Sequence, residues 1–274
     1  MIINWSASPE IVSIGPLTLR WYGLLFAAGF LIGFRFMDNI FRRERKNTEH
    51  LDALLLYLIL GTTIGARLGH CLFYEPEVYL RDPIRILYIW EGGLASHGGT
   101  LGNLISMILF SRRYGYDLRW LIDRLTIPIA LTACFIRLGN LMNSEILGKP
   151  TGGDWGVVFA RVDQIPRHPA MLYESFCYFL TFLLMRHLYY KTDWGLYKGK
   201  LWGLFFICIF GTRILVEYAK ENQVAFEQGM FMNMGQLLSI PFVLFGAFLI
   251  YKSKDAKLEL TDTKQGQPKP AKKK

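Results

Sequence analysis

The sequence predicts an all-α polytopic membrane protein, a bundle of about seven transmembrane helices, on three observations. The 274 residues are 52% hydrophobic and 15% aromatic with a mean hydropathy of +0.24, too apolar for a soluble domain of that size. A spanning helix needs about 20 mostly apolar residues, and seven stretches supply them: 17–37, 52–74, 93–111, 121–138, 170–188, 201–218 and 233–251. Basic residues also alternate along the connections, as they do in proteins threaded back and forth through a bilayer. Strands of a membrane barrel would alternate over about 10 residues instead. The first stretch lies too late for a cleaved signal peptide, and no basic region precedes it.

Charge sets the expected orientation. Arg42, Arg43, Arg45 and Lys46 follow the first span, Arg112, Arg113 and Arg119 the third, and Arg186, Lys191, Lys198 and Lys200 the fifth. The intervening connections are poorer, with Arg81 and Arg85, then Lys149, Arg161 and Arg167, then Lys220, while residues 1–16 hold no Lys or Arg. The positive-inside rule puts the N-terminus outside and the C-terminus in the cytoplasm. The net charge of +9 then reads as topology and attraction to membrane lipids, with no nucleic acid as partner. Residues 1–251 form a single transmembrane domain, and 252–274 a cytoplasmic basic tail whose Lys, Gln and Pro predict disorder. Cys71, Cys134, Cys177 and Cys208 fall in or at the edges of spans without CxxC spacing. They read as small apolar residues, giving neither disulfides nor a metal site.

Taken in order, the spans carry more than anchors require. The first opens on Arg20, Trp21 and Tyr22 at the outer aromatic belt. Its Gly29 and Gly33 permit close helix approach, as do Gly61, Gly65 and Gly69 in the second span. Arg67 and His70 in the second span exceed what a plain anchor needs, and a mixed connection over 74–91 follows. The third span opens His97-Gly-Gly-Thr-Leu-Gly102. Gly98 and Gly102 fit small-residue helix packing, and His97 is either open to a substrate or satisfied by a neighbouring helix. The fourth runs into Arg137-Leu-Gly-Asn-Leu-Met-Asn-Ser-Glu-Ile-Leu-Gly148. Arg137 and Asn140 share a helical face there, with Asn143, Glu145 and Gly148 close behind. That stretch suits an anionic head group, or equally a snorkelling arginine with a helix cap.

An outer loop over 149–168 leads to Arg167-His168-Pro169, with Pro169 placed for the first turn of the fifth span. Glu174, a turn inside, is costly unless paired. Arg213 and Glu217 lie four apart on the sixth span, spaced for an ion pair. The seventh opens on Asn233 and Gln236, and Pro241 is expected to kink it.

With the N-terminus outside, Tyr22, His97, Tyr173, Glu174, Asn233 and Gln236 start odd spans. Arg67, His70, Arg137, Asn140, Arg213 and Glu217 lie toward the ends of even ones. The unusual polar groups therefore share the outer leaflet, whereas scattered snorkelling would decorate both ends. Arginines in a low-dielectric cleft grip phosphate by paired hydrogen bonds and stabilise charge developing on a leaving group. A histidine can take a proton from a thiol. No GxSxG motif and no exposed cysteine offers a nucleophile of the protein's own, and no cofactor is implied. A two-substrate transfer at the outer face is the reaction class these groups permit.

His97-Gly-Gly-Thr-Leu-Gly102, Arg137 through Glu145 with Gly148, and His168-Pro-Ala-Met-Leu-Tyr173-Glu174 resemble motifs of the prolipoprotein diacylglyceryl transferase family. Arg20-Trp-Tyr-Gly23, Arg213-Ile-Leu-Val-Glu217 and Met234-Gly-Gln through Pro241 resemble others, in the same order. The likeness spans about residues 14 to 251, making that domain catalytic. It implies a seven-span enzyme of the bacterial inner membrane. Such an enzyme moves the diacylglyceryl group of phosphatidylglycerol onto the lipobox cysteine of a prolipoprotein signal peptide, releasing glycerol-1-phosphate, as the first step of lipoprotein maturation.

By the same resemblance, Arg137 binds the lipid head group, Arg213 holds the phosphate or leaving group, and His97 is the base. Tyr22, Asn140 and Glu145 join the catalytic set; Gly98, Gly99, Asn143 and Gly148 join the substrate-binding set; Glu217 orients Arg213. Thr100 replaces the hydrophobic residue common after the family's His-Gly-Gly, and His70 stands where an aromatic is commoner. Two other classes fit the composition. A transporter with an outer-leaflet anionic site would show inverted repeats and a midplane site, which the sequence lacks. An intramembrane protease would need a Ser–His pair, for which only Ser96 beside His97 offers itself.

Overall fold

The computed structural model describes residues 1–15, 17–89, 92–221 and 230–253. Its helices are α1 Trp21–Arg43, α2 His50–Phe73, α3 Pro76–Arg81, α4 Ser96–Tyr114, α5 Leu118–Asn143, α6 Ala170–Lys191, α7 Lys200–Glu217 and α8 Met234–Lys252. All but α3 fall on the seven apolar stretches, with lengths from 18 residues in α7 to 26 in α5. Four of them, α1, α2, α5 and α8, are long and apolar enough to cross a membrane. The others carry more polarity: Lys200, Arg213 and Glu217 on α7, Glu174, Arg186 and Lys191 on α6, and the His-Gly-Gly opening of α4. The chain is an all-α polytopic membrane protein; the tail expected to be disordered lies, beyond Ser253, outside the described residues.

Short strands add what the apolar runs do not foretell. β1 Ile2–Trp5, β4 Gly156–Phe159 and β5 Pro166–Arg167 form one sheet, in that order, and β2 Glu10–Ile14 pairs with β3 Leu17–Arg20 in a hairpin. β1 runs parallel to β4, and β5 antiparallel to it. The first span was expected from residue 17, but 17–20 complete the hairpin and the helix begins at Trp21, where the Trp21 amide donates to Pro9 O at 3.0 Å. A hairpin satisfies those backbone groups outside hydrocarbon, where an extra helical turn is not needed to do so.

The described residues divide into two compact units: 1–36 with 123–253, and 37–122. In the second unit, α2 and α4 cross at a stripe of small residues. A Cβ on Gly65 would lie 2.4 Å from Gly98 O, one on Gly98 would lie 2.2 Å from Gly65 O, and one on Gly102 would lie 2.0 Å from Gly61 O. Backbone meets backbone there, so any side chain would push the helices apart. In lipid, close approach of this kind supplies the packing that holds helices together. α4 starts only at Ser96, because Gly92 and Gly93 precede it with φ of 89° and 69°, outside the helical region.

In the first unit, Gly29 brings α1 against Thr132 of α5, where a Cβ would be 2.8 Å from its methyl. Gly203 and Gly246 do the same for α7 and α8, each Cβ meeting the other's carbonyl at 2.6 Å. Phe210 and Phe242 stack at 4.4 Å in the same seam. α8 opens with the capping box that Asn233 and Gln236 make together, and Gln236 also donates to Ile214 O of α7 at 3.1 Å. These two helices are thereby fixed near the end that carries Arg213.

Candidate active site

The first unit holds eight of the expected catalytic and substrate-binding residues: Tyr22, Arg137, Asn140, Asn143, Glu145, Gly148, Arg213 and Glu217. Arg137 lies six residues before the end of α5, and its Nε faces Glu174 Oε2 on α6 at 2.8 Å. Its Nη1 donates to Asn140 Oδ1 at 3.2 Å, and Asn140 Nδ2 donates to Glu145 Oε2 at 3.0 Å. Asn143 Nδ2 holds the other Glu145 oxygen at 3.1 Å. The 137/140 spacing puts guanidinium and amide on one helical face, and the turn beyond Asn143 brings Glu145 back beneath them. Tyr22, in the first turn of α1, lays its ring on Gly139, where a Cβ would approach it to 2.6 Å. It also lies within electrostatic reach of Glu145 and Arg137.

Glu174 is the hub. It is 0% exposed, and its Oε1 accepts from Lys220 Nζ at 2.8 Å while Oε2 faces Arg137. Lys220, 2% exposed, also donates to Glu217 Oε2 at 3.0 Å. The result is an alternating chain, Arg137–Glu174–Lys220–Glu217, in which each buried charge has an opposite neighbour. Isolated, any one of them would be expensive to hold away from water. Tyr178 completes the group: its hydroxyl is 3.5 Å from Glu174 Oε1, and the Arg137 guanidinium sits 6.0 Å from its ring centre.

Arg213 stands apart from that chain. The Arg213–Glu217 pair expected from the spacing does not form among the described residues, because Glu217 turns to Lys220. Tyr178 is within electrostatic reach of Arg213 as well as Arg137. Yet Arg213 Nε is buried with no hydrogen-bond partner among the described residues. A buried guanidinium donor without an acceptor is rare, and such a donor suits an anion.

Gly148 has a steric role. A Cβ there would meet His168 O at 2.3 Å and Ala219 O at 2.8 Å. The Gly148 amide donates to His168 O at 3.1 Å, Lys149 N donates to Ala219 O at 2.8 Å, and Glu221 N donates to Leu147 O at 3.3 Å. The loop after α5 is thus stitched to the segment that carries Lys220. Arg167 braces it from outside, donating to Gly148 O at 3.3 Å and pairing with Asp163 and Glu221. Hydrogen bonding from Arg167 holds the Asp163 carboxyl below its ordinary range.

His97, Gly98 and Gly99 belong to the second unit. His97 is the second residue of α4, is exposed, and forms no hydrogen bond among the described residues. Gly98 is consumed by the crossing with α2, and Gly99 lies in ordinary contact with Ala66, 3.4 Å from its Cβ to the added one. Thr100 folds its hydroxyl back to Ser96 O at 3.0 Å, which removes the polarity that set it apart from a hydrophobic residue.

Arg67, grouped with the anion-binding arginines by its depth, has a different task. It is 2% exposed and gives Nε to Ile86 O at 2.9 Å, Nη1 to Gly92 O at 2.6 Å and Nη2 to Arg85 O at 2.6 Å. With Tyr79 beneath its guanidinium at 4.9 Å, it staples the connection after α2. His70 stacks on Tyr74 at 5.8 Å and points Nε2 toward Glu75 at 3.8 Å.

Sequence reading missed three groups. Lys220 was counted only as a loop charge, although its spacing of three from Glu217 was the available signal. Tyr178 carries no signal in the sequence beyond that of an aromatic in a span. Asp123 and Arg124, adjacent charges near the start of a span, are 0% and 1% exposed.

The chain matches the family model described as prolipoprotein diacylglyceryl transferase over residues 9–252. It is 52% identical to the phosphatidylglycerol–prolipoprotein diacylglyceryl transferase of Tolumonas auensis, covering 92% of this chain and 98% of that one. The protein of the same name from Chloroherpeton thalassium is 48% identical, over 94% of this chain and 97% of the relative. That from Bacteroides fragilis is 43% identical, over 91% and 94%. The chain belongs to the prolipoprotein diacylglyceryl transferase family.

Proposed function

We propose that this member of the prolipoprotein diacylglyceryl transferase family transfers the diacylglyceryl group of phosphatidylglycerol to the lipobox cysteine of a prolipoprotein. The thiolate sulfur attacks the diacylglycerol carbon bonded to phosphate oxygen. A C–S thioether bond forms, the C–O bond breaks, and glycerol-1-phosphate leaves with the electron pair. The phosphodiester's single negative charge becomes that of a monoester, so negative charge grows at the phosphate as the bond breaks. A guanidinium with an unused donor in a dry site stabilises such charge. The observation that carries this reading is the buried Nε of Arg213, which has no hydrogen-bond partner among the described residues.

Arg137, fixed by Glu174 and Asn140, holds the head group, and Arg213 receives the leaving phosphate. Asn140, Asn143 and Glu145 order the mouth of the site, with Tyr22 against Gly139. Glu217 acts on Lys220 and so on Glu174, and Gly148 keeps the loop beside them closed. Exposed His97 takes the thiol proton, while Gly98 and Gly99 set the helix crossing it stands on.

The charge bias of the connections supports seven spans in the bacterial inner membrane, N-terminus outside, C-terminus cytoplasmic, with one catalytic domain over 1–251. A tag on Lys274 reachable only from outside the cell would overturn that orientation. The reaction is tested with labelled phosphatidylglycerol and a cysteine peptide, read for thioether and glycerol-1-phosphate. Arg137→Ala is expected to abolish product while the protein still inserts. Turnover retained in that variant, or lipid movement without glycerol-1-phosphate, would refute the transferase reading.

A further inference from the structure

β1 pairs with β4 on one side only, and no other strand among the described residues covers its second edge. Gly156 N donates to Met1 O at 3.3 Å and Ala160 N donates to Trp5 O at 3.0 Å. In a parallel ladder a residue aims both its N–H and its C=O at one neighbour, and the next residue aims both away. Met1, Ile3 and Trp5 therefore face β4, and Ile2 and Asn4 present theirs to the open edge.

Edges left open in stable proteins are guarded by lysine, proline, a bulge or a covering loop. Ile2-Ile3-Asn4-Trp5 has no charge, no proline and a regular register, and Ile2 and Ile3 are each 48% exposed. Such an edge suits an incoming strand. It also leads somewhere. Trp5 Nε1 donates to Leu141 O at 3.1 Å, and its ring packs against Leu141, Val157, Phe159 and Met171. Leu141 adjoins Asn140, whose amide bridges Arg137 and Glu145. The strand thus ends at the site, and its free edge starts roughly 10 Å away at about 3.3 Å per residue.

We propose that the open edge of β1 takes the extended segment of the prolipoprotein substrate as an added strand, delivering its cysteine to the Trp5 end beside Arg137, Asn140 and Glu145. The proposal rests on the transferase reading and adds where the acceptor docks. Main-chain bonds to Ile2 and Asn4 give a sequence-tolerant grip, which one enzyme serving many precursors requires.

The test is an N-methyl scan of the residues flanking the cysteine in the acceptor peptide, with the unaltered full-length protein in phosphatidylglycerol vesicles. Alternate positions should raise the peptide KM about three- to tenfold each, and the intervening ones by under about twofold, as loss of single hydrogen bonds predicts. kcat and the KM for phosphatidylglycerol should stay unchanged. Asn4→Pro removes an edge N–H without touching the bonds to β4; it should raise the peptide KM similarly and flatten the alternation.

A scan without two-residue alternation overturns the proposal, whatever the proline variant does. So does an Asn4→Pro variant that changes only the oligomeric state, which would assign the edge to a second copy of the chain. Failure of the unaltered protein to form thioether would instead refute the transferase reading itself.

Discussion

Asp123 and Arg124 stand near the start of α5, withdrawn from water, and Arg137 near its end, mostly so; their polar atoms are occupied in different ways. Asp123 Oδ1 accepts from Trp202 N at 2.8 Å and Oδ2 accepts from Gly199 N, so the carboxylate caps α7 from a neighbouring helix. Gly199 has a φ of 90° and no side chain to do this itself. A negative charge also complements the positive end of a helix. Arg124 Nη2 donates to Gly195 O at 2.6 Å, with its guanidinium 5.5 Å from the Tyr189 ring. Backbone groups are the partners in each of these hydrogen bonds. At the other end, side chains meet side chains, Arg137 keeps part of its surface open, and Arg213 Nε has no acceptor among the described residues. Buried charge alone does not mark a functional site; the Asp123–Arg124 cluster spends its charge on backbone of the framework, whereas the Arg137 end is built of side-chain pairs with surface left open.

The largest effects should fall on Lys220 and Asp123, and they should differ in kind. Lys220→Met leaves Glu174 and Glu217 buried without their common cation, which costs about 3–5 kcal/mol of stability for a broken buried pair. The folded fraction should also lose transfer by about a hundredfold or more, since Glu174 no longer holds Arg137 in place. Asp123→Asn keeps one acceptor and should cost stability by about 2 kcal/mol. Its kcat per folded molecule should match that of the unaltered protein. Thermal unfolding and turnover measured on the same preparations separate the two, and a large kcat loss in Asp123→Asn would erase the distinction.

Arg213→Lys against Arg124→Lys sharpens the contrast. Lysine keeps the charge but not the planar fork. At Arg213 no partner of Nε among the described residues is lost, so the unfolding midpoint should move by no more than about 2 °C, while transfer falls about a hundredfold. At Arg124 the buried bond to Gly195 O is lost, so stability should fall by about 1.5–3 kcal/mol. An Arg213→Lys enzyme with near-normal turnover would return that residue to the framework.

Much of this was legible beforehand, for reasons particular residues make clear. Apolar run length located all seven long helices, because lipid makes a spanning segment satisfy its own backbone. Glu174 announced a need for partners by its depth, and Arg137 and Lys220 answer it. Depth could not separate Arg67 from Arg213. One meets backbone carbonyls from a loop 18 to 26 residues away, and the other's Nε has no hydrogen-bond partner among the described residues. Such pairings are tertiary, as is the Asp123 cap, made across 76 residues of chain. The β1–β4 ladder was hidden for the same reason: four residues have little strand signal until a distant partner supplies the other half.

The smallest effect concerns the brace outside the site. Asp163 and Arg167 pair at a partly exposed position, with 25% and 8% of their side chains open. Arg167 hydrogen bonding depresses the Asp163 carboxyl in the folded state. A depressed folded value means the unfolded chain binds that proton more readily. The stabilisation is therefore complete above the unfolded carboxyl range, and it is lost as pH falls through the folded one. Its size should be only about 0.5 kcal/mol, because solvent screens the pair. Asp163→Asn should flatten the acid limb of the stability profile slightly and leave neutral-pH transfer unchanged. A loss of transfer comparable to that in Lys220→Met would mean that the Gly148 loop depends on this outer pair more than on the stitching of Lys149 to Ala219, and that the boundary between framework and site lies further out than α5 places it.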